Sequence, residues 1–233
     1  QFGHRIIKPL PALVQLRCEG DLLPKASGVR VDALVSIQTA DGKTAAKDRG
    51  ELQITDYGIS GIPVFQLSRV ATRALSEQKK VYATLNFVPF WEKEQCLTYF
   101  KERFKKADEK HIGEALIGFF PEKLIPVLLE ESHIKAAKYA NRLQTEELER
   151  FIDTVQGLRV DITDWNTFDT AQVTAGGVDT DEIDAETMES KLCPGLYFAG
   201  EMVDIDGICG GYNLQWAWSS GAVAGIHVAR ELS

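Results

Sequence analysis

The sequence predicts an α+β fold in three parts: a β-rich, barrel-like domain, a helical subdomain inserted into it, and a C-terminal strand–helix unit. Two observations carry this. Apolar residues recur with period 2 up to about Val88, with period 3.6 from Pro89 to about Leu148, and with period 2 again from Leu158. After that the chain runs through a glycine-rich loop into one long, small-residue-rich helix. The expected boundaries are 1–88 for the first β-rich part, 89–150 for the helical insert, 151–175 for the return strands and 176–233 for the C-terminal unit.

The elements follow in order. Val29, Val31, Ala33, Val35 and Ile37 alternate with Arg30, Asp32, Leu34, Ser36 and Gln38, the pattern of a half-buried strand. Asp41-Gly42 is a hairpin signal, and Gly50 to Thr55 forms a further strand. Gly58-Ile59-Ser60-Gly61 reads as a tight turn before a helix with Pro63 in its first turn, whose apolar face is Val64, Leu67, Ala71 and Leu75. Lys80 to Val88 is strand-like. About four short helices follow, one with Trp91, Leu97, Phe100 and Phe104 near one stripe, one opened by Thr145 as N-cap. The basic run Lys101 to Lys110 reads as a solvated helix face. Leu158 to Ile162 and Phe168 to Thr174 return to strand and rejoin the first sheet.

At the C-terminal end, Pro194 to Glu201 reads as a short buried strand that ends in a carboxylate. Gly210-Gly211 follows, and a helix runs from about Leu214 to Glu231. A helix N-terminus offers unpaired N–H groups and a partial positive charge, so this region can hold a polyhydroxylated, partly anionic ligand.

Composition narrows the function class. A net charge of -8 argues against a nucleic-acid-binding surface. No apolar run is long enough for a membrane span. The four cysteines Cys18, Cys96, Cys193 and Cys209 form no C-x-x-C pair, and the four histidines are scattered. Neither set has the spacing of a metal site, so no metal is expected, and reduced thiols fit a cytoplasmic protein. Asp204 and Asp206, flanking Ile205, read as solvated loop acids.

Several segments together resemble a known family. They are Gly50-Glu51 with Thr55, Gly58, Ser60-Gly61 and Pro63; Val173-Thr174-Ala175-Gly176-Gly177-Val178; Met188-Glu189-Ser190; Pro194 to Glu201; and Gly210 to Gln215. In this order they resemble the bacterial aminoacetone-oxidase-like flavoproteins, a group of two-dinucleotide-fold FAD oxidoreductases that includes proteins of bile-acid metabolism. The resemblance implies that 176–233 is the C-terminal portion of a Rossmann-like FAD-binding domain. The G-x-G-x-x-G turn that opens such enzymes is absent from this sequence. The expectation is therefore a C-terminal fragment of a longer enzyme that by itself holds FAD weakly or not at all.

The resemblance also implies site roles. Glu201, after Gly200, would accept a hydrogen bond from a ribityl hydroxyl, and the alternative is a surface glutamate at a strand end. Asn213, Leu214 and Gln215 would turn backbone donors toward the flavin pyrimidine edge, although Asn213 could also serve only as a helix cap. Gly210 and Gly211 would permit positive φ, or serve only as a turn. Gly176 and Gly177 would let the crossing backbone pass close to the flavin, or form a plain interdomain turn. Gly58, Ser60 and Gly61 would approach the ring from the substrate side. Asp56 and Ile62 depart from the family pattern of His and Pro, so no proton-transfer role is assigned to Asp56. The catalytic residue is not identified. The expected activity is hydride transfer between FAD and a small-molecule substrate or a nicotinamide. The rival from another class is a non-catalytic β-domain module that binds a partner or small ligand.

Overall fold

The computed structural model describes residues 2–40 and 43–231. The chain divides into two compact units, one made of residues 1–14 and 165–233, the other of residues 15–164.

In the 15–164 unit, six strands close into a barrel. In chain order they are β2 (Leu16–Cys18), β3 (Arg30–Thr39), β4 (Thr44–Ile54), β5 (Gly58–Gly61), β6 (Val81–Asn86) and β7 (Leu158–Trp165). Around the barrel the order is β2-β5-β4-β3-β6-β7. The alternation in β3 sends Ala33, Val35 and Ile37 inward at 0% exposure, where Leu52, Ile54, Ala83 and Leu85 meet them. Strands β3 and β4 pair antiparallel from Arg30↔Gln53 to Gln38↔Thr44. The Asp41-Gly42 hairpin signal lies outside the described residues.

Helix α1 (Ile62–Ser76) carries its proline in the first turn, and it buries Val64, Leu67 and Ala71. Helices α2 (Lys93–Lys105), α3 (Ile112–Leu116), α4 (Leu124–Glu131) and α5 (Thr145–Gly157) lie between β6 and β7 in the chain. They enclose an aromatic core in which Phe100 contacts Phe119, Phe120 and Phe151 at centroid separations of 4.9, 6.1 and 5.4 Å. Ile117 is half exposed past the end of α3. Thr145 is not the cap of α5: Gln144 holds that position, and its capping box with Glu147 satisfies the first amides.

The other unit holds β1 (Ile6–Ala12), β8 (Val173–Val178) and α6 (Tyr212–Glu231). Strand β1 pairs antiparallel with β8 as a separate two-stranded sheet. The expectation that Phe168–Thr174 rejoins the first sheet is therefore corrected. Phe168–Thr170 is a 3-10 turn, and the strand starts at Val173 and takes β1 as partner. One core cluster of this unit is Val178, Ile183, Met188, Val203 and Ala224, with Tyr197, Phe198, Trp216 and Val223 packed on it.

Candidate functional site

The candidate site lies within the 1–14/165–233 unit, on β8, the 200–211 loop and the start of α6. Pro194–Glu201 does not form the expected strand. Its backbone is used locally instead: the Ser190 amide donates to Leu196 O (2.7 Å), the Phe198 amide donates to Met188 O (3.0 Å), and Tyr197 makes one isolated bridge to Glu189. Gly200 then opens a 3-10 turn, Gly200–Met202, with φ +65. Glu201 stands on that turn, exposed to solvent, and its Oε1 accepts a hydrogen bond from the Thr174 amide of β8.

The turn is fastened to α6 from both sides. The Gly200 amide donates to Ser220 Oγ (2.9 Å), and the Trp216 indole N–H donates to Gly200 O (3.0 Å). Ser220 Oγ in turn donates to Trp216 O within the helix (2.6 Å). Trp216 and Ser220 were missed in the sequence. Their i,i+4 spacing, with a hydroxyl set in an otherwise apolar helix face, is the signal that marks them.

Gly176 and Gly177 lie inside β8 with φ +94 and +140, which only glycine adopts easily. A Cβ on Gly176 would sit 2.5 Å from Lys8 O on β1, and one on Gly177 would sit 2.4 Å from Met202 O on the 3-10 turn. These glycines therefore let β1 and the Glu201 turn approach β8. Asp204, read as a solvated acid, is half-buried and accepts the Gly176 amide at 3.0 Å.

Gly210 and Gly211 do take positive φ, +117 and +92. Helix α6 starts at Tyr212, two residues earlier than expected, and the Gln215 amide makes the first intrahelical bond, to Gly211 O (2.9 Å). The amides of Tyr212, Asn213 and Leu214 have no acceptor within the helix. The Asn213 side chain folds back on the loop: its Oδ1 accepts from the Gly207 amide (2.8 Å) and its Nδ2 donates to Gly207 O (3.0 Å). It thus closes the 207–213 loop and leaves the helix end open. Leu214 and Gln215 are exposed.

Gly58, Ser60 and Gly61 belong to the other unit, and the expected tight turn is corrected. They form β5, an internal barrel strand between β2 and β4. Cβ atoms at Gly58 and Gly61 would lie 2.3 Å from Leu16 O and 2.2 Å from Glu51 O, so close strand packing accounts for both glycines. Near them, burial pushes the Cys18 thiol up to about 12, which keeps it protonated and unreactive.

Two cavities bear on the site question. A shallow apolar one of about 200 Å³ is lined by Thr180, Ile183, Ala185, Met188, Val203, Ile205 and Trp216, next to the Glu201 turn. A wider groove of about 740 Å³ lies at Thr39, Ala40, Arg69 and Arg73 in the barrel unit. Among the described residues, no group of three or more His, Cys, Asp or Glu could hold a metal ion. No helix among them is long and apolar enough to cross a membrane.

A family model described as HI0933-like protein Rossmann domain matches residues 1–227. The chain belongs to the HI0933-like family. Within that family's reach, the chain is 45% identical over 224 residues to a 3-dehydro-bile acid delta(4,6)-reductase of Clostridium scindens, covering 96% of this chain and 54% of that protein. It is 31% identical to ribosomal RNA dihydrouridine synthases of Escherichia coli and Haemophilus influenzae, covering 52% and 54% of them. This HI0933-like chain thus spans about half the length of the curated relatives it matches. The glycines, Glu201 and the α6 terminus all fall inside the matched region.

Proposed function

We propose that this chain is the substrate-side and C-terminal part of an FAD-dependent oxidoreductase, related to the aminoacetone-oxidase-like flavoproteins. In this reading residues 176–233 complete the FAD-binding domain and 89–150 form a helical insert in the substrate domain. The observation that carries the reading is the fastened Glu201 turn beside an open helix N-terminus. Glu201 uses one carboxylate oxygen on Thr174 and leaves the other for a ligand hydroxyl. The first-turn amides of α6 and the helix dipole suit a carbonyl-rich or anionic ring edge. This donor and acceptor set fits the ribityl chain and pyrimidine edge of a flavin. No pyrophosphate-binding glycine turn accompanies it, so tight binding requires the rest of the parent enzyme.

A bound flavin would supply hydride chemistry, taking a hydride from a substrate C–H or a nicotinamide. This chain's residues would bind and orient it. Gly176 and Gly177 bring β8 and the Glu201 turn together, Trp216 and Ser220 keep that turn in register with α6, and Asn213 shapes the loop that precedes the helix. The relatives named above act on a bile acid and on ribosomal RNA. We favour a small-molecule substrate in the cytoplasm, because identity is higher to the reductase and the chain carries a net charge of -8.

The test is an FAD titration of a chimera in which this chain replaces the matched region of the Clostridium scindens reductase. Glu201→Ala should weaken binding by about 1.5–3 kcal/mol, the value of a charge-assisted hydrogen bond. Unchanged affinity would remove Glu201 from the site.

A further inference from the structure

Helix α1 ends in a turn built around Gln78, whose φ of +60 is a conformation usually left to glycine. The Gln78 amide donates to Leu75 O (2.8 Å) and the Lys79 amide to Ala74 O (3.0 Å), so the chain folds back over the end of the helix. Val81 then pairs with Thr39 across β6 and β3. Lys79, the second half of α1 and the end of β3 thereby surround one groove of about 740 Å³. That volume is ordinary for a pocket that takes a drug-sized molecule.

The groove joins two chemistries. It gathers Arg69, Arg73 and Lys79 in a chain whose net charge is -8. Glu77 also lines it, and its carboxylate is already engaged in an ion pair with Lys79 at 2.6 Å. Arg69 and Arg73 are exposed and stand one helical turn apart on α1. Two guanidiniums so placed repel each other. A carboxylate shared by both relieves that repulsion and accepts from their planar N–H forks. Beside them Val70 is half-buried and Ala74 buried, which gives the groove an apolar floor.

We propose that this groove binds a small apolar molecule that carries a carboxylate, with the carboxylate held between Arg69 and Arg73 and the apolar body laid over Val70 and Ala74. The arginine stems extend the apolar floor while their heads hold the anion. Every residue of the groove belongs to the 15–164 unit. The inference therefore stands whether or not the other unit holds a flavin.

The experiment is isothermal titration calorimetry of the 233-residue chain. Naphthoate is the probe, naphthylmethanol its uncharged counterpart, and inorganic phosphate the anion without an apolar body. Naphthoate should saturate a single site, and the other two should each bind at least ~tenfold more weakly. The double variant Arg69→Gln/Arg73→Gln should weaken naphthoate at least ~tenfold, as the loss of charge-assisted hydrogen bonds requires. Ala40→Glu, at an exposed position of the lining outside α1, should weaken it as well by placing a competing carboxylate in the groove, and it keeps the test decisive if the arginine variant is unstable. Absence of saturable naphthoate binding would overturn the proposal, as would unchanged affinity in the folded variants. Equal affinity for phosphate would overturn the apolar subsite, and equal affinity for naphthylmethanol would overturn the role of the carboxylate.

Discussion

Gly177→Ala tests the packing that positions Glu201. The added Cβ would lie 2.4 Å from Met202 O and 2.9 Å from Met202 C, where real Cβ atoms essentially never come closer than 3.0 Å. Either β8 or the 200–202 turn must shift by more than half an ångström. That turn is held by the Gly200–Ser220, Trp216–Gly200 and Thr174–Glu201 hydrogen bonds. The φ of +140 adds backbone strain of about 1–3 kcal/mol for a residue with a side chain. Losing the bond to the ionised Glu201 adds about 1.5–3 kcal/mol, for a total of roughly 2.5–6 kcal/mol. Gly211→Ala is the matched control, because φ is +92 there but nothing lies within 4 Å of the new Cβ. It should cost only the strain, about 1–2 kcal/mol. Urea unfolding followed by tryptophan emission measures both. At a slope of about 1–3 kcal/mol/M the two midpoints should differ by roughly 1 M. Equal destabilisation would refute the reasoning, because it would mean the turn yields to the extra methyl at no cost.

Two further outcomes are expected in the barrel unit. Lys138 and the Gln144 amide both hold Glu147 in its ionised form and lower its pKa below the ordinary carboxylate range. Its contribution to stability is therefore complete above the carboxylate range and lost as pH falls through the lowered folded value. Glu147→Gln keeps an amide oxygen for the Gln144 cap but loses the ion pair with Lys138, so it should cost up to about 1 kcal/mol at neutral pH and flatten the acid limb, and unfolding curves across pH check both. The Cys18 thiol, pushed up to about 12 by burial, should resist alkylation at pH 8 until the protein unfolds, and rapid modification of the folded chain would contradict its burial.

Strands whose side chains alternate were legible from the sequence, because burial on one face imposes period 2; β3 is the clear case. The four helices between β6 and β7 were legible for the same reason at period 3.6. The pairing of β1 with β8 was not, since Ile6 and Val178 meet across most of the chain and no local pattern records a partner that far away. The Gly58–Gly61 segment looked like a turn because glycines favour turns. Here they are needed where barrel strands crowd, which only the neighbouring backbone reveals. In the candidate site, the positive φ of Gly210 and Gly211 could be read from their sequence context. Asp204, Trp216 and Ser220 could not be assigned, because their work is to hold the backbone of other segments, and that depends on folding 176, 200 and 216–220 together.

The absorption spectrum of the purified Clostridium scindens chimera is the most direct test of the central claim. The chimera should be a folded, yellow protein with one FAD per chain, and the isolated 233-residue chain should stay nearly colourless when FAD is added. A cooperatively folding chimera that binds no flavin, although the unmodified reductase does, would contradict it.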